Sequence, residues 1–275
     1  MKPPPQELWL DGSPRLHCLE WNPEGELTIL LLHGNSANAW WWAPMAVCTP
    51  ANYRLIAIDL RGHGDSEWVR PPAYGPHDYA DDLARLITAL NLDRPVVAGH
   101  SMGGVAVTAF ICKYPSMARG AIAVDIPIRS SRRRDRFLDR LKALPTVNYP
   151  DLETAIARYR LMPNEGGITP EILAEIARRS VREIDHGRYT MKFDRESFYG
   201  GDGINVEAAL AQVRIPALLI RGERSRIMTQ EAMDCSVASN PLVRAELIKD
   251  GHHHLPLEHP YELASIISRF VAQLN

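Results

Sequence analysis

Long apolar runs are missing from this chain. No stretch approaches the ~20 residues needed to cross a bilayer, and the opening Met1-Lys-Pro-Pro-Pro-Gln has no apolar segment of the signal-peptide kind. Neither a membrane nor an export route is therefore expected. Cysteine is scarce. Cys18, Cys48, Cys112 and Cys235 are scattered, with no Cys-x-x-Cys spacing. They read as free buried thiols of a reducing, cytoplasmic setting, with a disulfide left open. Charge of one sign is also lacking: 31 Lys and Arg face 33 Asp and Glu, for a net −2, and the pI is near 6.6. Nothing in that balance calls for nucleic acid as a partner. Internal repeats are absent, and oligomeric state leaves no mark in the sequence. What is present is apolar content, 45% of 275 residues, ample for one large α/β domain or two small ones.

The most informative stretch is Pro95 to Pro115. Pro95-Val-Val-Ala is a short apolar run of central-strand type, and Val105 to Tyr114 has helical length and ends at Pro115. Between them lies Gly99-His100-Ser101-Met102-Gly103, a Gly-x-Ser-x-Gly. A sharp strand-to-helix turn lifts a serine hydroxyl above the sheet edge and crowds its neighbours, which explains the glycines. The Met102 amide would sit at the helix N-terminus, where an unpaired N–H can hold an oxyanion.

Upstream, Glu7-Leu-Trp-Leu and Arg15 to Trp21 predict an antiparallel hairpin about Asp11-Gly-Ser-Pro. Leu27 to Leu32 is a buried strand running into His33-Gly34-Asn35-Ser36. Gly34 allows a close backbone approach above Ser101, and the Asn35 amide is the candidate second oxyanion donor. His33 is read as fixing its loop rather than as a base. Trp40, Trp41 and Trp42 open the next helix; three in a row cannot share one face, so one of them is a candidate for the pocket wall. Tyr53 to Asp59 is a strand before Leu60-Arg-Gly-His-Gly-Asp-Ser66, a polar turn in which Asp59, His63 and Asp65 are read as structural. His77 to Leu92 carries a helical apolar stripe.

This alternation argues for a mostly parallel sheet with helices on both faces. With His33-Gly34, Arg61-Gly-His-Gly-Asp-Ser66 and Gly99-His-Ser-Met-Gly103 in that order, the chain resembles the α/β-hydrolase superfamily over nearly its whole length. The resemblance implies an α/β fold with a sheet of about eight strands, a nucleophile–acid–histidine chain order and an inserted helical cap. Gly120 to Pro127 is the next strand. From residue 128 to about 207 the strand pattern stops and helical segments follow: the basic Arg129–Leu144, then Asp151–Leu161, Thr169–Val181 and Asn205–Val213. The expected division is a core of 1–127 and 208–275 with a cap of 128–207. The arginine run is read as a solvated face, and Met162, Phe193, Phe198 and Tyr199 are candidate pocket residues.

The strand Ile215 to Gly222 brings a departure. Related hydrolases commonly carry the acid three residues after the equivalent of Gly222, and here that place is Ser225. A serine cannot hold an imidazolium as a carboxylate does. Asp125, at the end of the strand after Ser101's, is the favoured acid. Glu223 is the alternative, and a site with no acid is the third case. After the last strand, Leu242 to Ile248, comes Gly251-His252-His253-His254-Leu-Pro-Leu-Glu258-His259-Pro260. The family's spacing places the base at His253, with His252 the alternative; His254 and His259 are read as packing or surface residues. A metal site in this cluster has no supporting ligand spacing.

The expected function is carboxylic ester hydrolysis by Ser101, Asp125 and His253, with Asn35 and Met102 as the oxyanion hole. No cofactor or metal is expected, and the partner is a small acyl ester. Haloalkane dehalogenases and epoxide hydrolases need aspartate where this chain has Ser101. Thioesterase, lactonase, C–C hydrolase and perhydrolase chemistry fit the same three residues, and the missing acid at 225 also keeps a non-catalytic ligand-binding member of the fold open.

Overall fold

The computed structural model describes residues 3–198 and 203–274. Its strands are β1 (Gln6–Leu10), β2 (Leu16–Trp21), β3 (Leu27–Leu32), β4 (Tyr53–Ile58), β5 (Val96–His100), β6 (Gly120–Val124), β7 (Val181–Glu183), β8 (Tyr189–Met191), β9 (Ala217–Gly222) and β10 (Val243–Ile248). The helices are α1 (Ala43–Cys48), α2 (Pro76–Ala89), α3 (Met102–Lys113), α4 (Arg132–Ala143), α5 (Leu152–Arg158), α6 (Pro170–Arg179), α7 (Val206–Leu210), α8 (Gln230–Ser239), α9 (Leu255–Glu258) and α10 (Pro260–Ala272).

Eight strands form one sheet in the order β1-β2-β4-β3-β5-β6-β9-β10. β1 and β2 pair antiparallel, as the turn at 11–14 predicts, β2 is antiparallel to β4, and every pairing from β4 to β10 is parallel. The central strands are apolar throughout because both faces are covered. Alternate residues divide between two cores, as a two-residue side-chain period requires. Leu30, Leu32, Val97 and Leu219 pack with Leu83 and Leu86 of α2 and Phe110 of α3. Ile29, Leu31, Ala98 and Ile220 face the other way, against Met45 of α1 and Ile267 of α10.

Between β6 and β9 the chain leaves this sheet. The helix starts here follow their capping residues: Asp151 accepts from Thr154 N–H, Thr169 from Ile172 N–H with Pro170 in the first turn, and Asn205 from Ala208 N–H. The helices α5, α6 and α7 are each shorter than the segments expected from the sequence. The expectation of no strands in this stretch is corrected by β7 and β8, an antiparallel pair. Three residues each is too short for an alternating pattern to show. The tryptophans also differ from expectation. They form a single 3₁₀ turn, Ala39–Trp42, ahead of α1, and none of them lines the cavity described below. All four cysteines are free; Cys18 is buried and Cys48 partly so, but Cys112 and Cys235 are exposed, contrary to the expectation of four buried thiols. No helix among the described residues is long and apolar enough to cross a membrane.

The hairpin is tied to the turn after β4 by a buried pair, in which His17 Nδ1 donates to Asp59 Oδ2 at 2.7 Å. Asp59 also accepts from the Ala39 and Asp65 amides. Burial alone would pull His17 down, but the bond to Asp59 and the charges of Asp59, Asp65 and Glu7 outweigh it and leave the imidazole above its usual 6.5. The folded chain therefore binds this proton more tightly than the unfolded one. The resulting stability is fully present below pH 6.5 and is lost as pH rises through the raised folded value. Asp59 has the opposite sign: burial raises it, the His17 bond and charge lower it further, and the net is below 3.8, so its contribution is lost only as acid titrates it. Thermal melts of the wild type above pH 6.5 are expected to show a falling Tm that flattens in His17→Gln; a parallel slope in both proteins would contradict the pairing.

Candidate active site

β5 ends at His100 and α3 begins at Met102, so Ser101 makes the whole turn alone, at φ 52° and ψ −118°. A left-handed φ costs a non-glycine residue on the order of 1 kcal/mol. The surroundings hold it there: Ser101 N–H donates to Val124 O at 2.9 Å, and its carbonyl accepts from Gly104 and Val105 at 3.0 and 3.1 Å. The crowding inferred from the glycines is present. A Cβ on Gly103 would lie 2.5 Å from the carbonyl oxygens of Leu32 and His33, and one on Gly99 would lie 2.3 Å from Gly103 O.

Two other segments reach the same sheet edge. Asp125 follows β6 directly, also at left-handed φ, 47°, and its side chain is fully buried. The loop after β10 carries the three histidines, and Glu258 organises it by accepting from His252 N–H at 2.9 Å and His254 N–H at 2.7 Å. The rings then separate. His252 Nδ1 turns to Glu258 Oε2 at 3.2 Å, His254 Nε2 donates to Pro163 O at 2.7 Å, and His253 Nδ1 donates to Asp125 Oδ2 at 2.6 Å. Of the three, only His253 meets Asp125. Glu223 lies elsewhere and accepts from the exposed Asp250 N–H at 2.9 Å.

His253 and Ser101 both line a cavity of about 1000 Å³. Its walls are mainly apolar: Met102 and Val105 of α3, Tyr79 of α2, Phe137, Leu138 and Leu141 of α4, then Leu161, Met162, Phe198 and Val206. Asn35 and Met102 border it beside Ser101. The Met102 N–H is the first of α3, one of the donors a helix leaves unpaired. His33 has a fixed tautomer. Its Nδ1 donates to Gly34 O at 2.7 Å while Nε2 accepts from Leu60 N–H at 3.1 Å. Both ring nitrogens are thereby used in holding the loop that carries Asn35.

A profile of the alpha/beta hydrolase family matches residues 29–266, from β3 into α10. The chain belongs to the alpha/beta hydrolase family. It is 25% identical over 247 residues to 2-(acetamidomethylene)succinate hydrolase of Mesorhizobium japonicum, covering 88% of this chain and 87% of that protein. It is also 25% identical to the bifunctional esterase/perhydrolase DCH of Acinetobacter calcoaceticus, over 84% of each. Among solved structures, that of E-2-(acetamidomethylene)succinate hydrolase superposes with a TM-score of 0.82 at 24% identity, over 98% of this chain and 99% of that one. Hydrolase activity is what the family and these names have in common.

Several residues of this hydrolase fall where the sequence pattern was silent. Of the candidate pocket residues, Met162 and Phe198 line the cavity and Phe193 does not; Tyr199 lies outside the described residues. Arg129, Arg134 and Asp135 reach the cavity from the basic run, although α4 buries none of its residues. His100 has no sequence signal beyond its place before the serine. Its Nε2 donates to the carbonyl of His253 at 2.8 Å, joining the turn to the histidine loop. Burial, then the nearness of His253 and His254, holds it well below its usual value, and burial first takes His254 down to about 3. Both are neutral imidazoles.

Donor groups close enough to consider for a metal occur twice among the described residues: His100, His253 and His254, and His17, Asp59 and Asp65. The second group is occupied internally, whereas in the first the buried Nδ1 atoms of His100 and His254 have no hydrogen-bond partner among the described residues. The first three use a ring nitrogen on a carbonyl or on Asp125. In the second, Asp59 holds His17 and Asp65 pairs with Lys192 at 2.7 Å.

Proposed function

We propose that this protein is a serine hydrolase cleaving carboxylic esters, with Ser101 as nucleophile, His253 as general base and Asp125 as its acid. The observation that carries the reading is the 2.6 Å contact between a fully buried carboxylate and the only loop histidine that shares a cavity with a strained serine. In the reaction, His253 Nε2 takes the Ser101 proton as Oγ attacks the acyl carbon. Asp125 holds the Nδ1–H, which fixes the tautomer and stabilises the imidazolium that forms. The Asn35 and Met102 amides receive the negative oxygen. His253 then protonates the leaving alcohol, and water attacks the acyl-enzyme with His253 again as base. No cofactor enters these steps.

The 128–207 segment serves in this scheme as a cap over the core of 1–127 and 208–275. It brings both apolar side chains, such as Phe137, Leu141 and Met162, and the charged Arg134 and Arg160 to the cavity; the apolar part favours an acyl chain as one half of the substrate. We assign the protein to the cytoplasm with a small-molecule ester as its partner. The relatives' names leave other acyl chemistry on the same residues as the second choice. Incubation with a fluorophosphonate probe is expected to label the wild type at Ser101, and p-nitrophenyl butyrate is expected to turn over faster than the acetate. No label and no turnover would instead favour a ligand-binding member of the fold.

A further inference from the structure

We propose that His100, His253 and His254 form a site for a borderline d-block cation, Zn²⁺, Ni²⁺ or Cu²⁺, whose binding switches the hydrolase off. A ring nitrogen of each lies within 4.8 Å of one from each of the other two. The hydrogen bonds of the rings leave a lone pair open on every one of them. A neutral imidazole donates from one nitrogen and accepts at the other. His100 Nε2 donates to His253 O at 2.8 Å and His254 Nε2 to Pro163 O at 2.7 Å, so Nδ1 of each carries no proton. His253 donates through Nδ1 to Asp125 Oδ2 at 2.6 Å, which puts its lone pair on Nε2. Among the described residues no donor reaches Nδ1 of His100 or of His254, although both atoms are sealed from water. A buried acceptor left without a donor is costly, and a bound cation relieves that cost.

Room for the ion comes from Gly34. A Cβ there would lie 2.9 Å from His100 Nδ1 and 3.3 Å from Ser101 Cβ. The missing side chain leaves that volume open between the unpaired nitrogen and the nucleophile. Its neighbour Asn35 lines the cavity together with Ser101 and His253, so an ion would enter by the substrate's route.

The surroundings of the rings are those of metal-bound histidines, whose second N–H is fixed on a carbonyl or carboxylate oxygen. Asp125, which orients His253, is itself held by the Ser225 hydroxyl, donating to Oδ2 at 2.5 Å. Three imidazoles select Zn²⁺, Ni²⁺ or Cu²⁺, whereas Mg²⁺ and Ca²⁺ seek oxygen. Zn–N bonds of about 2.0–2.1 Å set tetrahedral nitrogens about 3.4 Å apart, so the rings draw together by about an ångström on binding. The loss of activity rests on the function proposed above. His253 Nε2 is the atom that takes the Ser101 proton, and a lone pair given to a metal cannot accept one. No covalent bond of the protein changes, so chelation reverses the effect.

The test uses the untagged full chain with Zn²⁺ alone, and Co²⁺ as its spectroscopic stand-in. Saturating Zn²⁺ is expected to slow p-nitrophenyl butyrate hydrolysis by about 100-fold or more, the scale of a lost general base. EDTA should restore the rate, and Mg²⁺ should have no effect. His254→Phe keeps a ring beside Trp41 but has no lone pair. With each rate taken relative to the same protein in EDTA, its half-inhibiting Zn²⁺ concentration is expected to rise by about 10-fold or more, since losing a contact that merely supports a ligand already costs that much. His100→Gln, which can still donate to His253 O, should behave alike. Co²⁺ is expected to give the intense visible bands of a tetrahedral nitrogen site in the wild type and in Ser101→Ala, and to lose them in the two histidine variants. Equal inhibition of wild type and variants, equal inhibition by Mg²⁺, or inhibition abolished by replacing the exposed thiols in Cys112→Ser/Cys235→Ser each overturns the site. So does a wild type with neither inhibition nor cobalt bands. Absence of fluorophosphonate labelling in EDTA would instead remove the hydrolase reading and the switch with it, while the cobalt bands would still report the site.

Discussion

Ser101→Ala is expected to lose about 10⁴- to 10⁶-fold in kcat on p-nitrophenyl butyrate and to abolish fluorophosphonate labelling. The loss should be this large because the nucleophilic atom itself is gone, and the remaining groups act as a unit that has nothing to activate. What persists would be the residual effect of the oxyanion donors and of binding. Alanine keeps the Cβ that the turn already accommodates at φ 52°. The turn's own hydrogen bonds, Ser101 N–H to Val124 O and Ser101 O to Gly104 N–H, are backbone bonds and survive the change. Melting temperature should therefore stay at the wild-type value, so that lost activity is attributable to chemistry. Turnover within 10-fold of wild type (about 1.4 kcal/mol of barrier) would exclude Ser101 as nucleophile.

Asp125→Asn is expected to reduce kcat by about 10⁴-fold, the scale of the corresponding change in a serine protease. The amide keeps the size of the side chain but loses the charge. It can also present an N–H to His253 Nδ1 and so favour the tautomer that points a proton at Ser101, where the mechanism needs a lone pair. KM should change little, because the side chain is sealed from the cavity: it is fully buried, and the cavity wall includes His253 but not Asp125. A variant that remains folded and turns over near the wild-type rate would end the assignment of Asp125 as the acid. Glu223 would not inherit the role, since its carboxylate is engaged with the Asp250 amide.

The two variants probe different levels of the molecule. The turn at Ser101 is a local object. A run of Val and Ala, three small residues and an apolar helix are contiguous in the chain, and the sterics that shape them act over a few ångströms, so the strand, the turn and the helix were legible without coordinates. The alternation of β3, β4, α2, β5 and α3 was legible for the same reason. The three-residue strands β7 and β8 escaped because their hydrogen bonds are made to each other and leave no periodic pattern in either segment.

The neighbour of Asp125 is a different matter. Asp125 and His253 are 128 residues apart, and their meeting depends on β6, β9 and β10 lying side by side in register. His252, His253 and His254 are the same residue type in succession. Nothing local distinguishes them; Glu258 grips two of their amides and holds the loop in the conformation in which the His253 ring is the one that meets Asp125. The cavity likewise collects residues from α2, α3, α4 and the segments around 161 and 198, whose spacing follows no period.

The amino-acid sequence by itself determined the eight strands of the main sheet, the sheet class and the sharp turn at Ser101, because backbone sterics and apolar periodicity operate within short windows. The tertiary structure decided which histidine meets Asp125, where Ser225 directs its hydroxyl and what walls the cavity, because those contacts exist only once distant strand ends are brought together along one edge of the sheet.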